Sequence, residues 1–306
     1  MPRPPGVSHI NRPARILLNT TIASTANDWS IHRFSLLAQY LRSLEGESGA
    51  PLFDVTMRDR DPGGDPDTVL SVLDHSDFDQ LWLFAVDVGN GLTASDCDAI
   101  TRFRRKGGGL MVTRDHMDLG SSVCSLDGVG AAHHFHSRNI DPDALLEVDD
   151  PYTSTILWPN FHSGANGDFQ AIKVAEPPHA VLVRPGSPSG LIRFLPSHPH
   201  EGAVSAPSGQ GARVIAIGTS KTTGRHFNIA VAFESVNGSG RAIAQSTFHH
   251  FADYNWNPQM GSPSFVTEPP GNGLAADPAA MADVHAYAAN VARWLSHLSP
   301  EDRARA

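Results

Sequence analysis

Two short segments set histidine beside aspartate at spacings that suit proton transfer. TRDHMD carries Arg114, Asp115, His116 and Asp118, and TFHHFADYNW carries His249, His250, Asp253 and Asn255. Imidazole titrates nearest neutral pH, a neighbouring carboxylate orients it, and an arginine can stabilise developing negative charge. On this reading His249 or His116 is a general base, Asp115 or Asp253 its orienting carboxylate, and Arg114 the anion-stabilising group.

Three further segments carry related chemistry. AAHHFHSRN holds His133, His134 and His136; WPNFHSGANGDFQ holds Asn160, His162, Ser163, Asn166, Asp168 and Gln170; LPSHPHEG holds His198, His200 and Glu201. More than half of the sixteen histidines fall in these five segments. His-x-His on an extended chain puts both rings on one face, as a metal site needs. A divalent zinc, iron or manganese ion is therefore expected to find ligands among His198, His200, Glu201, His249 and His250. The same residues can instead do metal-free acid-base work or bind a polyhydroxylated ligand. For such a ligand Asn160, His162, Asn166, Asp168, Gln170, Tyr254, Asn255 and Trp256 are the expected contacts. Trp158, Phe161 and Phe169 add apolar ring faces, and the alternative use of these aromatics is packing.

The elements that must hold these residues read as alternating strands and helices. ARILLNT (14–20), FDVTMRD (53–59), QLWLFAVD (80–87) and LMVT (110–113) have strand length and apolar character. Between them lie IHRFSLLAQYLRSL (31–44), with apolar residues at helical spacing, DTVLSVLDH (67–75), and a helix from Thr93 to Lys106. Thr93 followed by Asp96 is a capping-box pair, and Gly107, Gly108 and Gly109 end the helix. ARVIAIGTS (212–220), FNIAVAFES (227–235) and GRAIAQSTFHHF (240–251) read as later strands, and 277–298 as a closing helix. The expected fold is α/β: a doubly wound, mostly parallel, flavodoxin-like sheet. Residues 1–306 are expected to form one domain, with 120–210 an irregular insertion roofing the site and 1–12 and 299–306 frayed. Ligands of open α/β sheets bind outside the carboxyl ends of the strands, where both His–Asp clusters fall.

The run from LTASD to GGGLMVTRDHMD resembles the trehalose-utilisation-protein-like (ThuA-like) branch of the class I glutamine amidotransferase-like fold. The resemblance covers 80–120 best, extends to 14–60 and 240–256, and is absent through most of 120–210. It implies an active-site edge at the end of LMVT. Amidotransferases place a nucleophilic cysteine in the turn there, whereas this chain has Arg114, Asp115 and His116. His249 stands at the family's histidine position, and Phe251 where its glutamate would be. Without a thiolate to attack the amide, glutaminase activity is not expected.

Composition narrows the rest. A net charge of -9 with scattered Lys and Arg argues against nucleic acid as a partner. The basic run Arg102, Arg104, Arg105 and Lys106 complements a helix C-terminus instead. Two cysteines, Cys97 and Cys124, without CxxC spacing fit a reducing cytoplasm. The absence of an 18-residue apolar run argues against membrane spanning. The partner expected is a small-molecule substrate; a homo-oligomer is compatible with the composition. Three readings follow: a hydrolase- or isomerase-type enzyme for a sugar-related or other polar molecule, a non-catalytic binding module, and a metal-dependent enzyme.

Overall fold

The computed structural model describes residues 12–143 and 150–296. The expected frayed ends lie, but for Arg12, outside the described residues. Four strands alternate with helical segments in the first half: β1 (Ala14–Ala23), β2 (Phe53–Arg60), β3 (Gln80–Phe84) and β4 (Gly109–Thr113). Between them lie α1 (Ser35–Arg42), a 3-10 segment Leu70–His75 and α2 (Ala94–Arg105). The Thr93–Asp96 capping box forms: Thr93 N–H donates to Asp96 Oδ2 at 2.8 Å, and Asp96 N–H to Thr93 Oγ1 at 3.3 Å.

Among the described residues of the 120–210 region the strands are short, β5 (His133–His134), β6 (Phe169–Ala171), β7 (Lys173–Val174), β8 (Phe194–Pro196) and β9 (Ala203–Val204), interspersed with 3-10 turns. Long strands return as β10 (Ala212–Thr219), β11 (His226–Phe233) and β12 (Ala242–Gln245). Two single turns, α3 (Asp253–Trp256) and α4 (Gly273–Ala276), lead to the closing helix α5 (Pro278–Leu295).

The main sheet has the order β2-β1-β3-β4-β12-β11-β10-β7. Its first five strands pair in parallel, and β11, β10 and β7 continue it antiparallel. The parallel half has the flavodoxin-like order 2-1-3-4-5. One face packs Ile16, Leu18, Trp82 and Met111 against α1 and α5; the other packs Leu17, Leu81, Leu110 and Val112 against α2. The fold is thus α/β and doubly wound, as the alternating pattern predicts.

Register brings the two chemical clusters together. β12 pairs with β4 so that Gln245 lies opposite Thr113, and the chain then leaves both strands at one edge. The expected strand through residue 251 stops at Gln245, because Thr247 Oγ1 accepts the His249 N–H at 3.1 Å and bends Phe248–His250 into a 3-10 turn. A second set of contacts zips the insertion to itself: Phe161 and Glu201 exchange backbone hydrogen bonds, and Ser163 N–H donates to His198 O.

Candidate functional site

Asp115 is the centre of the site. Its side chain is 2% exposed, and Oδ1 accepts from Thr247 Oγ1 at 2.8 Å. Three imidazoles face it: His116 Nδ1 lies 3.0 Å from Oδ2, His198 Nε2 3.5 Å from Oδ1, and His249 Nε2 3.8 Å from Oδ2. These residues come from the β4 exit, the β12 exit and the insertion, so the sheet edge and its cover build the site jointly.

Two of the rings are held from behind. His198 Nδ1 bonds Asn166 Oδ1 at 2.9 Å, and His249 Nδ1 bonds Asn255 Oδ1 at 2.8 Å. Asn255 Nδ2 donates to Asn166 Oδ1 at 2.8 Å and to Ser197 O at 3.0 Å, tying the supports into one unit. Because the asparagine oxygens accept, each Nδ1 carries the proton and each Nε2 presents a lone pair towards Asp115. The His198 and His249 rings stack, with centroids 3.5 Å apart and planes 11° off parallel, and the Trp29 ring abuts His249 edge-on at 4.6 Å.

Electrostatics follows from burial. Burial lowers His198 to about 4, opposed by Asp115, and holds His249 well below the ordinary range, helped by His198. Both rings are therefore neutral at pH 7. Burial opposes ionisation of Asp115, but His198 and His116 hold its carboxyl well below the usual range. Two buried ring atoms, His198 Nε2 and His116 Nδ1, have no hydrogen-bond partner. With one atom from each residue, Asp115, His116 and His198 offer ligand atoms within 4.8 Å of one another.

Several expected roles are corrected by the geometry. Arg114 turns to the opposite sheet face, where its guanidinium lies 4.1 Å over the Phe135 ring and donates to Met117 O at 2.6 Å. Alternation along β4 explains this, since Leu110, Val112 and Phe135 share that face. Asp253 does not orient His249. It accepts from Ser35 N–H, Ser35 Oγ and Leu36 N–H at 3.0, 2.6 and 2.8 Å, capping α1.

Of the expected metal ligands, His198 has a ligand atom grouped with those of Asp115 and His116, and His249 stands beside that group. Glu201 and His250 form a second buried cluster: Glu201 accepts from Ser163 Oγ at 2.5 Å, Ser246 Oγ at 2.8 Å and Gln170 Nε2, with His250 Nε2 3.5 Å away. His250 Nδ1 bonds Gln245 Nε2 at 2.6 Å. His200 bonds Asn160 Oδ1 and Glu268 Oε1, each at 3.1 Å. His133, His134 and His136 lie elsewhere; the last two bond Asn139 O and Trp158 O.

Most expected substrate contacts turn out to support other side chains. Asn166 and Asn255 hold the imidazoles, Asn160 holds His200, Gln170 joins Glu201, and Asp168 Oδ1 accepts the Gly273 N–H at the start of α4. Tyr254 and Trp256 are buried in the core with Trp158 and Phe161, and Phe169 packs against it, so these aromatics seat the insertion on the sheet. His162 alone of this group reaches the rim, stacked on Tyr152 at 3.7 Å and 4°.

The centre opens past His116, whose side chain is 20% exposed. From there a ladder of rings runs outwards: His200 lies 5.4 Å from His116, Tyr152 5.9 Å from His200, and His162 against Tyr152. Thr247, Trp29, Tyr152 and Glu268 were not singled out from the sequence, where nothing marks them. Both cysteines belong to the core on the Arg114 face, away from His249, and burial pushes the Cys97 thiol up to about 12. No helix among the described residues is long and apolar enough to cross a membrane.

No family model matches the sequence, and no curated protein matches it. The chain is similar to solved structures of ThuA-like proteins. One, from Parabacteroides merdae, is 13% identical over 94% of this chain and 91% of that chain, with a TM-score of 0.49. Another, from Bacteroides uniformis, is 12% identical over 95% of each chain, with a TM-score of 0.46. The CTPS glutaminase domain of Trypanosoma brucei is 15% identical over 94% of this chain and 98% of that domain, with a TM-score of 0.45.

Proposed function

We propose that this chain is an enzyme for a polar, hydroxylated small molecule of the sugar type, with the Asp115 centre as its reacting site. The observation that supports this is a contrast between two buried carboxylates. The Glu201 carboxylate accepts from two hydroxyls and an amide, with Gln170 Oε1 left unpaired beside it, whereas the Asp115 carboxylate has one hydroxyl donor and faces two unpaired imidazole nitrogens. Structural polar clusters satisfy their buried atoms; unsatisfied ones concentrate where a reacting molecule completes them.

In this reading His249 is the general base. Its Nδ1 is committed to Asn255, so Nε2 faces the centre as an acceptor in a fixed tautomer. Asp115 orients the reacting groups, and the substrate reaches them past His116. The rim supports the ligand class: the exposed Tyr152 ring supplies a flat apolar face, and His162, His200 and Glu268 supply hydrogen-bonding groups. Hydrolysis and isomerisation both need such a base.

The test is a panel of sugars, sugar esters and polyols, screened for binding by ligand-observed NMR and for turnover by mass spectrometry. Binding weakened by Tyr152→Ala, with turnover lost in folded His249→Ala, is the expected result. Turnover that survives His249→Ala, or a panel in which nothing binds, would overturn the reading.

A further inference from the structure

The Asp115 carboxylate makes no direct ion pair with a lysine or arginine among the described residues. Among the described residues its ion-pair partners are histidines alone, and the adjacent Arg114 is turned to the other face. A carboxylate this buried is destabilised by lost hydration unless a cation or hydrogen-bond donors answer it. The unpaired Nε2 of His198, a residue 4% exposed, is aimed at the same place.

We infer that Asp115, His116 and His198 bind one divalent transition-metal ion. An ion about 2.1 Å from nitrogen and oxygen donors separates them by roughly 3 to 4 Å. The observed gaps are 3.0 Å from His116 Nδ1 to Asp115 Oδ2 and 3.5 Å from His198 Nε2 to Asp115 Oδ1. His116 Nδ1 stands at hydrogen-bond distance from Asp115 yet makes no aligned hydrogen bond, the disposition of two atoms that share an ion. Asn166 supplies the outer-shell acceptor that metal-bound imidazoles usually have.

His249 is excluded from the ligand set by its stacking. Two near-parallel rings 3.5 Å apart cannot both hold one ion in the ring plane, where the nitrogen lone pairs point. It therefore stays beside the ion and remains available as the base proposed above, on which the catalytic meaning of this site rests. Two imidazoles and one carboxylate select zinc, iron(II), manganese(II) or cobalt(II) over calcium or magnesium, which take oxygen ligands. Three protein ligands also leave coordination positions open for water or substrate.

The test uses full-length protein stripped with chelator, then titrated with cobalt(II) followed by absorption and with zinc(II) in equilibrium dialysis. One ion per chain is expected. Asp115→Asn and His198→Gln should each weaken binding at least about 100-fold, beyond the 10–100-fold typical of outer-shell losses. The half-buried His116→Gln, which is the variant least exposed to misfolding, should weaken it similarly. His249→Ala should leave the stoichiometry at one, as should His285→Gln in α5, whose ring stacks on Tyr40. Failure of the wild type to take up either ion, or undiminished binding in folded Asp115→Asn or His116→Gln, would overturn the inference. Absence of uptake together with turnover lost in His249→Ala would remove the ion and keep the proposed function. Uptake together with turnover retained in His249→Ala would do the reverse.

Discussion

Asp253 gives the sharpest separation between a chemical and an architectural role. The N-terminus of α1 has no acceptor of its own, because Phe34 occupies the cap position. Asp253, 218 positions away from Ser35, provides three hydrogen bonds there from a side chain in a residue only 2% exposed. Truncation to Ala strands two backbone donors and frees the Ser35 hydroxyl to turn elsewhere. At about 1–3 kcal/mol for each buried donor left unpaired, Asp253→Ala is expected to cost about 3–5 kcal/mol. Asn keeps one acceptor and sheds a buried charge, so Asp253→Asn should cost about 1–2 kcal/mol. The carboxyl has a raised pKa because burial outweighs its bonds to Ser35 and Leu36. A raised folded value means that its stabilising contribution is complete in acid, below the unfolded pKa, and fades as pH rises through the folded one. The stability gap between wild type and Asp253→Asn should therefore shrink between acid and neutral pH. Urea unfolding followed by circular dichroism measures all three proteins, with ligand binding measured in parallel. An Asp253→Ala variant within about 1 kcal/mol of wild type that has lost turnover would refute the capping role and return Asp253 to the reaction.

Two other predictions concern stability. Burial lowers His179 to about 4 from an ordinary 6.5, opposed by Glu234. A lowered folded value makes its contribution complete above 6.5 and lost as pH falls towards 4, worth on the order of 3 kcal/mol. The melting temperature of His179→Gln should fall less steeply over that window than that of wild type, and equal slopes would count against the assignment. Thr93→Ala removes the acceptor of the α2 capping box and should cost about 1 kcal/mol in urea unfolding, with sugar binding unchanged; a loss below a few tenths would mean the box contributes nothing.

The fold was legible because periodicity, turn glycines and caps each report local backbone geometry. Gly107, Gly108 and Gly109 follow α2 and lead into β4, and Thr93 and Asp96 cap α2 as their spacing implies. The boundary at Gln245 was not legible. Ser246 and Thr247 are as compatible with a strand as the residues before them, and the bend arises from a side-chain bond that composition does not announce.

At the candidate site the sequence shows which chain exits meet and not which side chains face one another, for a reason that bears on both proposals. Sequence places Asp115, His116 and His249 at one sheet edge, because strand order decides where chain exits meet. It does not say which polar residue faces which. Arg114 and Asp115 are neighbours in the chain yet face opposite sides of the sheet, and Asn166 and Asn255, 89 positions apart, bond each other. The insertion adds His198 to the centre, but His200 and Glu201, within three positions of it, go to Glu268 and to the Gln170 and Ser246 cluster. Histidine density therefore points to an edge of the sheet and not to which rings share one place there. Hydrogen-bond supply separates the clusters: Glu201 accepts from Ser163, Ser246 and Gln170, whereas Asp115 accepts from Thr247 and faces the unpaired His116 Nδ1 and His198 Nε2. That difference in donors is the ground on which the Asp115 centre, rather than the Glu201 cluster, is proposed as the place for a cation.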